Sequence, residues 1–104
     1  MNETSHQMIV CIVNSGFSET VMDAAREAGA RGGTVLRGRG TANKTAEEEF
    51  GITIQSDKEL LLIVVPTEIR DGVLEAIYRA AGINKAGKGI AFSLPVTRTI
   101  GLAE

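Results

Sequence analysis

LLLIVV, at residues 60–65, is the stretch that decides the fold, because it is the clearest strand signal in the chain. An unbroken series of leucine, isoleucine and valine that stops at a proline, here Pro66, is typical of a strand buried on both faces. The run MIVCIV at residues 8–13 has the same character. We therefore predict two buried strands, with residues 60–65 at the centre of a sheet.

A helix is predicted after each of these strands. Residues 18–28 place apolar side chains at helical spacing and are followed by Gly29, a glycine suited to a left-handed helix end. Residues 67–81 repeat this pattern and are followed by Gly82. Ser18 and Thr67 carry side chains that favour a helix N-cap. The predicted apolar stripes are Val21, Met22, Ala25 and Ala28 in the first helix, and Ile69, Val73, Ile77, Ala80 and Ala81 in the second.

Two shorter strands complete the pattern. One is predicted at residues 34–36 and the other at residues 90–94, which stop at Pro95. The element order β-α-β-β-α-β is that of the ferredoxin-like α+β sandwich, a four-stranded antiparallel sheet with two helices on one face. Strands that are apolar on both sides imply that a partner covers the face without helices.

Length and composition fit one small domain spanning residues 1–104. The formal net charge is −2 with both signs interspersed, which argues against a nucleic-acid-binding surface. No run reaches the roughly 18 apolar residues of a membrane span, and residues 1–7, a predicted flexible lead-in, lack the features of a signal peptide. We therefore expect a cytoplasmic protein.

Cysteine and histidine chemistry is sparse. Cys11 is the only cysteine, lies in a predicted buried strand and is interpreted as a structural thiol. His6 is the only histidine and falls in the predicted lead-in, outside the fold. Because no Ser-His-Asp set and no pair of acids spaced for acid–base work is found, no catalytic residue and no metal ligand is assigned.

Residues 37–58 differ from the rest of the chain because they are polar, charged and punctuated by Gly38, Gly40 and Gly51. We interpret them as a protruding loop with a partial hairpin, since ITI at residues 52–54 alternates as a strand fragment would. The glutamate run at residues 47–49 is interpreted as a solvated face, with a cation site or a basic partner surface as the minor alternative.

Two glycine-containing segments are candidate anion sites. In Gly87-Lys88-Gly89, backbone N–H groups and a lysine can hold an anion, although a plain helix-to-strand connection is the alternative. It is not a Walker A loop, because the spacing and the following Ser or Thr are missing. In Arg37-Gly38-Arg39-Gly40, two guanidinium groups can clamp a phosphate or carboxylate, or lie solvated at a strand end.

The chain resembles the PII nitrogen-regulatory family over residues 8–101. The resemblance lies in IVVP at residues 63–66 with the helix that follows, in GKGIAF at residues 87–92, and in a first strand and helix that lead through Thr34-Val35 into a long loop. It implies a homotrimer whose sheets line a common core. It also implies a T-loop, here residues 37–58, that contacts a target enzyme or membrane transporter, and adenine-nucleotide ligands in clefts between subunits.

The same resemblance implies site residues. Thr34 and the backbone near Val64 correspond to the adenine side of the family's cleft. The glycines of the two anion segments correspond to the base of the T-loop and to the backbone that holds phosphate. The predicted ligand-binding set is therefore Thr34, Arg37, Gly38, Arg39, Gly40, Val64, Gly87, Lys88 and Gly89.

Several family features are missing. Ile90 stands at the position of the family's phosphate-binding lysine, and Gly101 and Ala103 stand at the positions of two C-terminal arginines. The T-loop is shorter and has no tyrosine, so the family's tyrosine modification cannot occur here. We therefore expect a divergent member that binds ATP weakly and prefers a less charged nucleotide or a small acid.

The leading hypothesis is a non-enzymatic regulatory trimer that senses an anion between residues 37–40 and the 87–89 turn of a neighbouring subunit. Binding would reorder the loop, which would engage a partner protein. No cofactor is predicted beyond the adenine-nucleotide ligand. Two alternatives stay open, a small phosphate-ester hydrolase that uses Arg37, Arg39 and Lys88, and a purely structural oligomerisation module.

Overall fold

A computed structural model describes residues 5–41, 57–82 and 89–102. In chain order the elements are β1 His6–Asn14, α1 Ser18–Glu27, β2 Thr34–Arg39, β3 Asp57–Pro66, α2 Arg70–Ala81 and β4 Gly89–Val96. A short 3₁₀ turn, Thr67–Ile69, precedes α2. The predicted β-α-β-β-α-β order and the ferredoxin-like fold are therefore confirmed.

The four strands form one antiparallel sheet in the order β2-β3-β1-β4. The two long apolar runs lie in the inner strands, β1 and β3, and residues 60–65 are central as predicted. In register, Ile9 of β1 lies opposite Ile63 of β3 on one side and Ser93 of β4 on the other. Because side chains alternate along a strand, this register sorts the residues of all the strands into two faces.

The hydrophobic core lies between one face of the sheet and the two helices. Ile63 of β3 and Ile77 of α2 are both 0% exposed within it. Val21 of α1 is buried in the same cluster. Cys11 lies there too, and burial raises the pKa of its thiol to about 11. The thiol is therefore protonated at neutral pH, which fits a structural role.

The opposite face of the sheet, here called the open face, is apolar and carries no helix from the described part of the chain. The register brings together Met8, Val10 and Ile12 of β1 with the even-numbered residues of β4 and β3. Within residues 5–41, 57–82 and 89–102 of one chain, the prediction that the inner strands are covered on both faces therefore holds only on the helix side. The large side chains of this face remain 37–54% exposed at Val64, Phe92, Leu94, Leu36 and Ile90.

The helix ends differ in part from the sequence prediction. Ser18 is the first residue of α1 rather than its N-cap, a position that Phe17 occupies. Thr67 does not cap α2, because the 3₁₀ turn intervenes between them. Gly82 does end α2 in the left-handed region, with φ of 66°. The predicted stripe of α2 is buried at Val73, Ile77 and Ala81, packs against the core at Ile69, and is exposed at Ala80.

The strands are longer than predicted. β1 begins at His6, so this histidine belongs to the sheet and not to a lead-in outside the fold. β2 continues to Arg39 and β3 begins at Asp57, so both strands extend into the segment predicted as a loop. β4 includes Pro95, which a strand at the edge of a sheet tolerates.

The predicted strand fragment at residues 52–54 and the glutamate run at residues 47–49 lie outside the described residues. Across residues 5–41, 57–82 and 89–102, no helix has the length and apolar character needed to cross a membrane.

Candidate ligand-binding groove

A groove of about 850 Å³ opens where β2 begins and β3 ends. The connection between α1 and β2 forms one wall and the 3₁₀ turn forms another. Leu62 and Val64, both on the open face of β3, line it from the sheet. The groove therefore lies at the rim of the uncovered apolar surface.

Close contacts hold the two walls together. Gly29 has φ of +113°, and a Cβ at this position would lie 3.2 Å from Ile69 Cδ1. The α1–β2 connection thus lies against the 3₁₀ turn, in a conformation that favours glycine. The Thr67 N–H donates a hydrogen bond of 2.9 Å to the carbonyl oxygen of Ser5, which fixes the turn beside the start of β1.

Two predicted site residues, Thr34 and Val64, line this groove. Thr34 lies opposite Leu62 in register, so it shares the open face with Val64 two residues further along β3. Gly33 packs so closely on β3 that a Cβ would lie 3.0 Å from the carbonyl oxygen of Leu62. The two positions assigned to the adenine side of the cleft are therefore neighbours in the fold.

Arg37 and Arg39 lie apart from this groove. They alternate with Thr34 along β2 and so occupy the opposite face of that strand. Arg37 lies opposite Glu59 in register, and Arg39 lies opposite Asp57. The arginines of the predicted clamp are thus on the helix side of an edge strand, each across from an acidic residue.

The predicted glycines lie at opposite edges of the sheet. Gly38 is in β2 and Gly40 follows that strand, whereas Gly89 opens β4. Because β3 and β1 lie between them, these edges are about 14 Å apart at the usual strand spacing. A Cβ on Gly89 would lie 2.6 Å from the carbonyl oxygen of Ile12, so this glycine packs directly on β1. Within one chain, residues 37–40 and Gly89 do not meet, and residues 87–88 lie outside the described residues.

Glu59 makes a polar contact with the start of α1 that the sequence does not predict. Its Oε1 accepts the backbone N–H of Gly16 at 2.9 Å. This bond, with hydrogen bonds from Ser18 and the charge of Arg37, holds the pKa of Glu59 below its ordinary value. Glu59 thereby satisfies backbone donors where α1 begins, the role predicted for the Ser18 side chain. No local pattern reveals the pair, because 43 residues separate the two partners.

Most residues that line the groove were not in the predicted set, and three of these carry ionisable side chains, namely His6, Arg31 and Glu68. The Nδ1 atom of His6 lies 2.9 Å from Ser5 Oγ, at the start of β1. The two-residue alternation of His6 with Met8 is a signal that could have placed the histidine in the strand. Arg31 and Glu68 lie in a connection and a turn, where no periodic pattern marks them.

Comparisons with known proteins agree on one family. The family model described as "Nitrogen regulatory protein P-II" matches residues 6–103. Among solved structures, the chain is similar to Arabidopsis thaliana PII bound to citrate, with a TM-score of 0.70 and 26% sequence identity. That alignment covers 90% of this chain and 79% of the Arabidopsis chain. The search of curated proteins finds no match.

Proposed function

The chain belongs to the nitrogen regulatory protein P-II family, and on that premise we propose that it is a cytoplasmic, non-enzymatic regulator that senses a small anionic ligand. The observation that carries the proposal is the position of the groove. Thr34 and Val64 line it at the rim of the open apolar face. A second copy of the chain packed on that face would therefore form the other side of the ligand site.

The assembly we propose is a homotrimer, as the family resemblance implies. The open face supports it, because Phe92, Leu94 and Ile90 are 39%, 46% and 54% exposed in the isolated chain. Soluble monomers rarely present a contiguous apolar patch larger than a few hundred Å². Burying these side chains against two further copies would remove the patch from water and stabilise the trimer.

The ligand we propose is an anion of low charge, either an adenine nucleotide or a small organic acid. Three features support an anionic ligand: the citrate bound to Arabidopsis PII, the position of Thr34 and Val64, and the charge of Arg37, Arg39 and Lys88. The low charge of the ligand is proposed because Ile90, Gly101 and Ala103 stand where the family has cationic residues. Because about 14 Å of sheet separates residues 37–40 from Gly89 within one chain, these segments would act together only across a subunit boundary.

Signalling, in this proposal, passes through residues 37–58. A ligand that contacts Arg37 or Arg39 would bias the conformation of the segment that follows β2, and this segment would then engage a target enzyme or membrane transporter. The family's printed description, nitrogen regulation, gives the class of process in which we expect that target to act.

Titration calorimetry on the full chain tests the ligand site. Wild type, Lys88→Ala and Arg39→Ala would be titrated with ATP, ADP, AMP, citrate and 2-oxoglutarate, and Arg79→Ala would serve as the control. Arg79 is an exposed arginine of α2 that pairs with Glu75 at 3.0 Å, away from the proposed site.

Losing a charged contact should weaken the best ligand by roughly 10- to 150-fold in the two site variants and leave the control unchanged. Equal affinity of all four proteins for that ligand would show that the anion binds elsewhere. Absence of binding by every compound would contradict the sensing role itself.

A further inference from the structure

The groove contains charged residues that are not among the predicted ligand-binding residues. Among the described residues that line it, Arg31 is the only arginine or lysine and Glu68 is the only carboxylate. Arg31 lies in the α1–β2 connection, and Glu68 lies in the 3₁₀ turn. One cationic group and one anionic group therefore face the same space from two walls.

These two side chains lie on segments that touch. Gly29, two residues before Arg31, lies within van der Waals reach of Ile69, the residue after Glu68. Within the described part of the chain, neither Arg31 nor Glu68 takes part in an ion pair or a side-chain hydrogen bond. The guanidinium group is therefore available for a ligand, and the Glu68 carboxylate lies on the adjoining wall without a described partner.

The rest of the groove is largely apolar. Leu62 and Val64 line it from the sheet, Ile69 lines the turn, and Leu102 of the C-terminal tail reaches it from the other end of the chain. The last contact is notable because the residues on either side of Leu102 are Gly101 and Ala103, where the family resemblance would place arginines. The C-terminal tail thus adds apolar surface to the groove rather than positive charge.

We infer that Arg31 is the anion-binding residue of this groove, and that the groove selects a small organic acid with a single anionic group on a flat apolar body. Arg31 binds the carboxylate or phosphate through its planar pair of N–H donors. The apolar body packs on Leu62, Val64 and Leu102, as in most small-molecule pockets. Glu68 acts as the specificity-determining residue, because a second anionic group would lie beside its carboxylate and be repelled.

This inference rests on the proposed ligand-sensing role, and it narrows the ligand from an anion of low charge to a monoanion with an apolar body. Among the described groove residues of one chain, a polyanion finds one arginine and one glutamate, whereas a monoanion can use the arginine and keep its apolar body away from the glutamate. The volume of about 850 Å³ also exceeds what a single inorganic ion would fill, so a ligand with an organic body fits the space better.

A series of ring carboxylates tests the charge preference on one apolar body. Benzoate, phthalate and trimesate carry one, two and three carboxylates on the same benzene ring. Each would be titrated into the full ¹⁵N-labelled chain while NMR follows the backbone amides of Gly32 and Gly33 and the side-chain Nε–H of Arg31. Ligands of this size typically bind with dissociation constants on the order of millimolar, which chemical-shift titration resolves.

Benzoate should shift these signals, and phthalate and trimesate should bind several-fold more weakly. Arg31→Gln should weaken benzoate binding by about tenfold or more. Glu68→Gln should raise the affinity for phthalate and trimesate more than the affinity for benzoate, so that the difference between the three ligands shrinks. Arg26→Gln is the matched control, since Arg26 is exposed on α1, pairs with Asp23 and does not line the groove.

Two results with the wild-type protein would overturn the inference. One is the absence of shifts at residues 31–33 up to about 20 mM benzoate, well above the expected dissociation constant. The other is wild-type binding in which trimesate equals or exceeds benzoate. Dispersed amide spectra of each variant would show that it is folded. If Arg31→Gln changes nothing while Lys88→Ala and Arg39→Ala lose the calorimetric ligand, this inference fails and the proposed function stands.

Discussion

The two faces of the sheet are made of the same kinds of residue, yet the part of the chain that the structure describes covers only one of them. On β3, Ile63 faces the helices and is 0% exposed, whereas its neighbour Val64 faces the open side and is 37% exposed. One step along a strand is enough to change the face, because side chains alternate. The contrast is repeated on β1, where Ile9 lies in the core and Met8 lies on the open face.

This difference shows what an unbroken apolar run does and does not specify. Such a run indicates that both faces of a strand are to be kept from water, but it does not say which molecule supplies the cover. On the helix side the cover is α1 and α2 of the same chain. On the open side, in the proposed function, it is a second and third copy of the chain.

The largest expected effect comes from a cavity on the helix side. Ile63→Ala should lower the free energy of unfolding by about 2–5 kcal/mol, because the side chain is fully buried and a cavity remains. Val35→Ala is the control, since Val35 is on the same side of the sheet but 46% exposed on the edge strand β2. The control should stay within about 0.5 kcal/mol of wild type.

Chemical denaturation at one fixed protein concentration gives both values, because assembly makes stability depend on concentration. If Ile63→Ala and Val35→Ala lowered the free energy of unfolding by similar amounts, burial beneath the helices would not be the reason why Ile63 stabilises the fold.

The next effect tests the open face directly. Phe92 lies on the open face in the edge strand β4, opposite Val10 of β1, and is 39% exposed. Phe92→Asp should remove an anchor that contributes about 2 kcal/mol or more to an interface and place a charge there. We expect a folded chain that runs as a monomer of 11.0 kDa, while wild type runs at three times this mass.

Light scattering coupled to gel filtration measures the mass, and circular dichroism verifies the fold. Tyr78→Asp is the control, because Tyr78 is an aromatic residue 46% exposed on α2, away from the open face. A wild-type monomer at micromolar concentration would contradict the trimer, and so would a trimeric Phe92→Asp.

A smaller effect concerns β4, an edge strand whose side chains contribute alternately to the two faces of the sheet. Gly89 has φ of +150°, and an added Cβ would lie 2.6 Å from the carbonyl oxygen of Ile12. Gly89→Ala should therefore cost about 1–3 kcal/mol, since β4 would have to move away from β1. Gly72→Ala on α2 is the matched substitution, since nothing lies within 4 Å of its added Cβ. Because alanine has a higher helix propensity than glycine, this variant should be more stable than wild type by up to about 1 kcal/mol. Thermal unfolding of both variants checks the opposite signs.

The sequence predicted the architecture well because its signals are local. The apolar runs in β1 and β3 and the glycine after each helix, Gly29 and Gly82, suffice to set the order of elements. The candidate site was predicted less well, because its geometry depends on pairing between distant strands. The glycines around Arg37 predict a loop, but pairing with β3 extends β2 through Arg37 and brings this residue opposite Glu59.

The smallest effect concerns the polar contact at the edge of the helix-covered face. Glu59 accepts the N–H of Gly16, and this bond, with Ser18 and Arg37, holds the pKa of its carboxyl below the ordinary value of 4.5. The folded state therefore favours the charged form, so the contribution to stability is present above about pH 4.5 and is lost as the pH falls through the lowered pKa.

Glu59→Gln keeps the shape of the side chain and a carbonyl oxygen for the Gly16 N–H but removes the charge. It should be slightly less stable than wild type at neutral pH, and the difference should shrink as the solution is acidified, because wild type then loses the same charge. Arg37→Gln should change the profile in the same direction and by less, since the hydrogen bonds of Glu59 remain. Urea denaturation between about pH 3 and pH 7 measures the three profiles. Parallel profiles for wild type and Glu59→Gln would show that this carboxylate does not link the start of α1 to β3 through its charge.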